Sequence, residues 1–479
     1  MAADRKPNIV FLLPDQLRPD FLGCYGAGFL KTPNIDALAK QGTRWETATS
    51  PSPICVPARA SMLMGQHAHA NGVIDNLSWV RPDHEAIGLK GWPQYLVEAG
   101  YSTSAVGKMH FYPWDICEGF QTRIIAEDKR HIHIEDDYDA ALKQAGLRKV
   151  HAREQAGYGQ HKGASINDYP DHLQVDRWVA DQTVAHINAL PSHKPFALMV
   201  GFPGPHCPYD PPEYALAAID PAALPQAVPP TLESRSHHPA FVASYMRAWA
   251  DLDYSDLTPE ESRRLRHHYA ALVERLDADV GQIVEALRNA GHLDNTIIVF
   301  ASDHGDYLGD FSLVGKTYFH EPSIRVPLIV ADFRAEPANA STTQMASLLD
   351  LPATFLEFAG VDVPAHWHGH PLGDAPDDRI ICGVTTHGFM ARSDRWKLVR
   401  YKNGVEALFD LQSDPYEQVN CLAERPDMRA LLDAALAEVL LEGLIAGHAD
   451  KRVSEAQGES NHAFFRRGWT RTYPAPVQP

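Results

Sequence analysis

The chain has 479 residues, 44% of them hydrophobic, and its 43 Lys and Arg against 61 Asp and Glu leave a formal net charge of −18. That length accommodates one large domain and a smaller one, and the acidity argues against nucleic acid or an acidic membrane surface as the main partner, so an anionic substrate must be held by local charge. The six cysteines, Cys24, Cys55, Cys117, Cys207, Cys382 and Cys421, lack the paired spacing of a disulfide framework or zinc knuckle. No apolar run is long enough for a signal sequence or membrane span, which predicts a cytoplasmic protein with no membrane partner.

Asn8-Ile9-Val10-Phe11-Leu12-Leu13 is an unbroken apolar run of strand length, as expected of a central parallel strand covered on both faces. Asp15 and Gln16 follow at its carboxyl end, where open α/β sheets bind ligands; Asp15 is read there either as a ligand or as a helix cap. Thr32 to Leu38 reads as a capped helix ending at Gly42. In Pro51-Ser52-Pro53-Ile54-Cys55-Val56-Pro57-Ala58-Arg59, Cys55 stands at the mouth of a short helix running to Met64 and stopped by Gly65. The helix dipole and Arg59 make that a place for an anion, although a buried cysteine before an ordinary helix has the same local pattern. Asn76 falls in a polar turn. Tyr101 to Val106 reads as a second buried strand delivering Gly107-Lys108-Met109-His110.

Residues 127–171 are His- and Lys-rich and irregular, a lid or specificity loop or else a surface excursion. Leu173 to Leu190 has helical periodicity, and Pro195 to Val200 is a strand leading to Pro205-His206-Cys207-Pro208. Pro221 to Pro239 is a proline-studded loop. The capping box Thr258-Pro259-Glu260-Glu261 opens a long amphipathic helix stopped by Gly291. Asn295 to Ala301 is a strand ending in Ser302-Asp303-His304-Gly305-Asp306, with Lys316 beyond it. Met345 to Ala359 reads as a helix. Ile380 to Val384, Gly388 to Ser393, Trp396 to Tyr401 and Ala407 to Asp410 read as antiparallel strands, and a helix follows from Pro426 to about Leu444. The final stretch, with Phe464, Phe465, Arg466, Arg467, Trp469, Arg471 and Tyr473, packs on its own domain or on a partner subunit, leaving homo-oligomerisation through the tail open.

Cys55-x-Pro57-x-Arg59 resembles the signature of the formylglycine-dependent sulfatases of the alkaline phosphatase superfamily. Thr32-Pro33-Asn34-x-Asp36-x-Leu38, Gly107-Lys108-x-His110, the Pro-His-x-Pro around His206, Asp303-His304-Gly305 with Lys316, and Leu408-Phe409-Asp410-Leu411 resemble further family segments, in the family's order over nearly the whole chain. The resemblance implies a large mixed, mostly parallel sheet flanked by helices in a catalytic α/β domain at 1–375. A smaller C-terminal α+β subdomain on an antiparallel sheet would occupy 376–479. It further implies that Cys55 is converted to formylglycine by a formylglycine-generating enzyme and that the aldehyde hydrate attacks a small-molecule sulfate ester. Asp15, Cys55, Asp303 and His304 would then hold one divalent cation. Arg59, Lys108 and Lys316 would stabilise charge, His206 would protonate the departing alcohol, and His110 would act as the base that expels sulfate. Gln16 and Asn76 are weaker substrate contacts. Gln16 and His304 replace an Asp and an Asn of many sulfatases, which makes Mn2+ plausible beside Ca2+. The same replacements occur in phosphonate monoester hydrolases, phosphodiesterases and choline-sulfatase-like enzymes, whereas Gly107-Lys108-x-His110 favours sulfate.

Overall fold

A computed structural model describes residues 5–81, 84–85, 88–127, 130–239, 241–402 and 404–449. The aromatic, basic tail at 464–473 therefore lies outside the described residues. The strands are β1 (Asn8–Asp15), β2 (Thr43–Trp45), β3 (Ala48–Thr49), β4 (Ser102–Gly107), β5 (Thr122–Ile125), β6 (Phe196–Pro205), β7 (Thr296–Ala301), β8 (Arg325–Val326), β9 (Leu328–Asp332), β10 (Ala340–Thr342), β11 (Ala346–Ser347), β12 (Ile381–Thr385), β13 (Gly388–Arg392), β14 (Trp396–Tyr401) and β15 (Glu406–Asp410). Eight of them form one sheet in the order β10-β2-β9-β7-β1-β6-β4-β5. From β7 across β1, β6 and β4 to β5 every pairing is parallel, and β9 runs antiparallel to both its neighbours.

The alternation of side chains along a strand explains why β1 is apolar throughout. Val10 and Leu12 enter one core with Val179, Tyr269 and Leu276, from the helices Val175–Ala189 and Pro259–Asn289. Ile9, Phe11 and Leu13 enter the other with Val56, Leu63, Trp92 and Phe355, from the helices Cys55–Met64, Trp92–Glu98 and Asp350–Phe358. The architecture is therefore a mixed, mostly parallel sheet between two helical layers. The Pro259–Asn289 helix opens on the expected reciprocal cap between Thr258 and Glu261.

Strands β12 to β15 form a separate antiparallel meander. One face, with Leu398 and Leu408, packs on Leu432 and Leu436 of the helix Pro426–Ala449. The other face sends Met390, Val399 and Phe409 into the first core. The edge of β12 also meets the segment before Cys55, where Val384 N–H donates to the Pro51 carbonyl (2.9 Å). Among the described residues no helix is long and apolar enough to cross a membrane.

Three stretches differ from the sequence-based expectation. The stretch expected to be a helix from Met345 begins with β11 paired to β3, and the helix starts only at Asp350, whose carboxylate accepts the Ser347 N–H (2.7 Å). Within 127–171 a regular helix, Asp137–Gln144, forms because Asp136 caps it and Tyr138 and Leu142, four residues apart, are both buried. The Pro221–Pro239 loop likewise contains a short capped helix, Leu232–Ser236.

Candidate active site

Because β1, β4, β6 and β7 are parallel, the residues following them emerge along one edge of the sheet. Asp15 ends β1, Lys108 follows β4, His206 follows β6, and Asp303 and His304 follow β7. Two glycines let β4 and β6 close up there: a Cβ on Gly107 would lie 2.1 Å from the Gly201 carbonyl oxygen, and one on Gly201 would lie 1.9 Å from that of Lys108. Cys55 is the first residue of its helix and Gly65, at φ 63°, ends it in the left-handed conformation. Asn76 meets this helix rather than the cluster through the contact seen here, its Oδ1 accepting the Val56 N–H (3.0 Å).

The side chains of Asp15, Cys55, Asp303 and His304 converge so that one ligand atom from each lies within 4.8 Å of the others, all buried. Each carboxylate divides its oxygens between two tasks. Asp15 Oδ2 receives Lys108 Nζ (2.7 Å) and Arg59 Nη2 (3.2 Å), leaving Oδ1 3.8 Å from Cys55 Sγ. Asp303 Oδ2 receives Arg59 Nε (2.9 Å), while Oδ1 takes the N–H groups of Gln16 (3.0 Å) and His304 (2.9 Å) and lies 3.7 Å from His304 Nε2. His304 Nδ1 faces the Gly305 carbonyl (3.0 Å), so in the neutral ring the proton sits there and Nε2 turns its lone pair to the cluster, 3.1 Å from Sγ. Two carboxylate oxygens, an imidazole nitrogen and a sulfur form a donor set suited to a divalent cation.

Lys316 Nζ lies 3.0 Å from Cys55 Sγ and donates to Gln16 Oε1 (2.6 Å). Gln16 Nε2 in turn donates to Asp306 Oδ2, which also accepts the Tyr209 hydroxyl (2.5 Å), while Asp306 Oδ1 takes the Leu308 and Gly315 N–H groups. Gln16 thus orients Lys316. Burial and Asp15 push the Cys55 thiol up, but Lys316 and His304 outweigh them and leave it below the ordinary thiol value. Burial also opposes ionisation of Asp15, yet Lys108, His206, Arg59 and Lys316 hold it well below the usual carboxylate range.

His206 is buried and feels the charges of Lys316 and Asp15. Burial, with Lys316, holds its ring well below the ordinary imidazole value, and Nδ1 donates to the Cys207 carbonyl (2.6 Å), which directs the Nε2 lone pair away from the backbone. Trp249 lies against the ring at 6.2 Å between centroids. His110 adopts a left-handed φ of 59°; its N–H is taken by Glu127 and its ring meets that of His131 at 5.8 Å.

The sequence motifs therefore bring Asp15, Gln16, Cys55, Arg59, Lys108, Asp303, His304 and Lys316 into one buried contact network, with His206 beside it. Asp306, Tyr209 and Glu127 are connected to these groups and were not singled out from sequence. Asp306 stood in the Asp303-His304-Gly305 segment, and that position past a strand's carboxyl end was the one signal available.

Sheet order and paired helical layers define an alkaline phosphatase-like α/β fold, with this cluster at its carboxyl edge. The family model described as Sulfatase matches residues 7–361. The chain is 30% identical to a choline-sulfatase of Rhizobium meliloti, covering 96% of this chain and 90% of that one. It is 28% identical to an arylsulfatase of Clostridium perfringens, covering 93% and 96%. Among solved structures it resembles the phosphonate monoester hydrolase of Agrobacterium radiobacter, with a TM-score of 0.79, 22% identity and 91% and 96% coverage. The chain belongs to the sulfatase family.

Proposed function

We propose that the protein hydrolyses sulfate monoesters of small molecules, with residue 55 as formylglycine and one divalent cation, calcium or manganese, held by Asp15, Asp303, His304 and the residue 55 side chain. The observation that supports this most directly is Cys55 Sγ lying 3.0 Å from Lys316 Nζ and 3.1 Å from His304 Nε2 inside a buried donor set. The cation supplies fixed positive charge beside the reacting centre, and the aldehyde, made by a formylglycine-generating enzyme, supplies the attacking oxygen as its hydrate. The chain's own groups do the rest. Arg59 and Lys108 neutralise Asp15 and Asp303 on the side away from the cluster, and with Lys316 they supply the positive charge that an anionic ester requires. His206, with Nδ1 committed to the Cys207 carbonyl, turns Nε2 to the leaving oxygen; the negative charge of the bound ester favours the imidazolium, which then donates from Nε2, and His110 removes a proton to release sulfate. Gln16 holds Lys316 in place.

Phosphonate monoester or phosphodiester cleavage is the alternative, since solved structures of similar fold are described as phosphonate monoester hydrolases and both kinds of ester share the single negative charge of a sulfate monoester. Purified enzyme is expected to cleave an aryl sulfate with higher kcat/KM than an aryl phosphonate monoester, and peptide mass spectrometry to find residue 55 as the aldehyde. The reverse ranking, or an unmodified thiol in active protein, refutes the proposal.

Self-association belongs to the same reading. The Pro426–Ala449 helix exposes Leu431, Leu441, Leu444 and Ile445 next to the aromatic tail in sequence. Light scattering should show an oligomer that loses subunits when residues 450–479 are removed; a full-length monomer refutes it.

A further inference from the structure

The turn carrying Lys108 and His110 is held by a carboxylate outside the cluster. Three successive peptide units are fixed there. Lys108 N–H donates to the Gly201 carbonyl (2.7 Å), and the Lys108 carbonyl accepts Arg59 Nη1 (3.0 Å). Met109 N–H donates to Glu127 Oε1 (3.2 Å), and His110 N–H reaches both Glu127 oxygens (3.1 and 3.0 Å). His110 needs this support because its φ of 59° is a conformation that costs a residue with a Cβ about 1 kcal/mol and persists only where the surroundings impose it.

Glu127 is itself anchored. It is 1% exposed, lies 3.6 Å from Arg123 Nη2, and gives its own N–H to Asp136 Oδ2 (2.8 Å). Asp136 caps the Asp137–Gln144 helix and takes the ammonium of buried Lys149 (2.7 Å). The 127–149 segment is thereby connected, through one carboxylate, to the backbone that aims Lys108 at Asp15.

We infer that Glu127 is a positioning residue for the reaction: it imposes the left-handed turn that aims Lys108 and His110, and it couples that turn to the insertion. The inference rests on the roles given above to Lys108 and His110. A carboxylate is required because two N–H donors converge on it with charge-assisted bonds; whichever way an amide of the same size turns, it sets its own N–H2 against the His110 N–H.

The test is Glu127→Gln assayed on an aryl sulfate, alone and combined with His110→Ala, together with amide hydrogen exchange across residues 107–111. E127Q is expected to lower kcat about 100-fold, the scale of a 1 Å misplacement, with KM moving less than about threefold. Exchange of the Met109 and His110 amides should accelerate, and E127Q should cost less in the H110A background than in the wild type, the remainder passing through Lys108. A kcat within about threefold of wild type, unchanged exchange, or a full additional loss in the H110A background overturns the inference. Should K108A and H110A keep wild-type kcat, the roles of those two residues fall, while the exchange result still decides whether Glu127 holds the turn. If E127Q does not fold, Glu127→Asp, which keeps the charge and withdraws it by one methylene, is read by the same measures.

Discussion

Replacing Asp279 by Asn should make the protein's stability far less sensitive to pH. Asp279 lies on the Pro259–Asn289 helix, 2% exposed, with Oδ2 lacking a hydrogen-bond partner among the described residues. It faces Asp176 and Asp181 of the Val175–Ala189 helix, and Arg275 and Arg177 lie close enough to act on it. Burial, then the charge of Asp176, pushes its carboxyl from an ordinary 3.8 up to about 8, against the pull of the two arginines. A folded-state value above the unfolded one means that the folded protein binds the proton more tightly. The associated stability is fully present below the unfolded value and is lost as pH rises through the folded one. At about 1.4 kcal/mol per pH unit, the loss between pH 4 and 8 is at most roughly 6 kcal/mol. Urea unfolding of wild type and D279N at successive pH values isolates this group together with its coupling to Asp176 and Asp181, since the titrations of distant groups cancel in the difference. The difference should grow with pH in favour of the variant and level off above about pH 8. Curves that stay parallel from pH 4 to 9 refute the reasoning. Asp176 also takes the Gly204 N–H (2.8 Å) two residues before His206, so alkaline loss of activity that D279N delays should accompany the change in stability.

His206→Ala should reduce kcat most for sulfate esters of weakly acidic alcohols and least for those of acidic phenols; equal losses across a series of phenol pKa values would remove its role as proton donor. Asp350→Ala leaves Arg379, paired at 2.7 Å, and the Ser347 and His370 N–H groups without their buried acceptor, at a cost of about 3–5 kcal/mol in a urea titration. A loss below about 1 kcal/mol would show that water replaces the carboxylate there.

Patterns that are local in sequence were legible in advance. The apolar run of β1, the capping box at Thr258 and the glycine stop at Gly65 each express a rule operating within a few residues, and the structure reproduces them. Several metal-set and charge-bearing candidates were legible because they follow strands that proved parallel and so share an edge. What escaped notice depends on partners distant in the chain. Strands β2, β3, β8, β10 and β11 have two or three residues each, too few for a period, and exist because of their neighbours. The expected helix from Met345 gave way to pairing with Ala48, nearly three hundred residues earlier. Glu127 looked like the start of an irregular stretch, since nothing near it in sequence announces the amides it accepts. Gln16 read as a weak substrate contact, but its amide is spent on Lys316 and Asp306, nearly three hundred residues further on.

Cys55 is 1% exposed, and the segment before it is closed by Thr317 N–H on the Pro53 carbonyl (3.1 Å) and by Val384 N–H on the Pro51 carbonyl, so its surroundings are complete only once β12, among the last strands to be synthesised, has docked. Under the conversion of Cys55 proposed above, an enzyme that takes this thiol into its own cleft has to do so before those strands leave the ribosome and dock. At 5–20 residues per second, the more than three hundred residues between Cys55 and β12 give a window of roughly 15 to 65 seconds. Under that proposal a chain that misses it keeps an unconverted sulfhydryl, and the active fraction of a preparation follows the race between translation and oxidation.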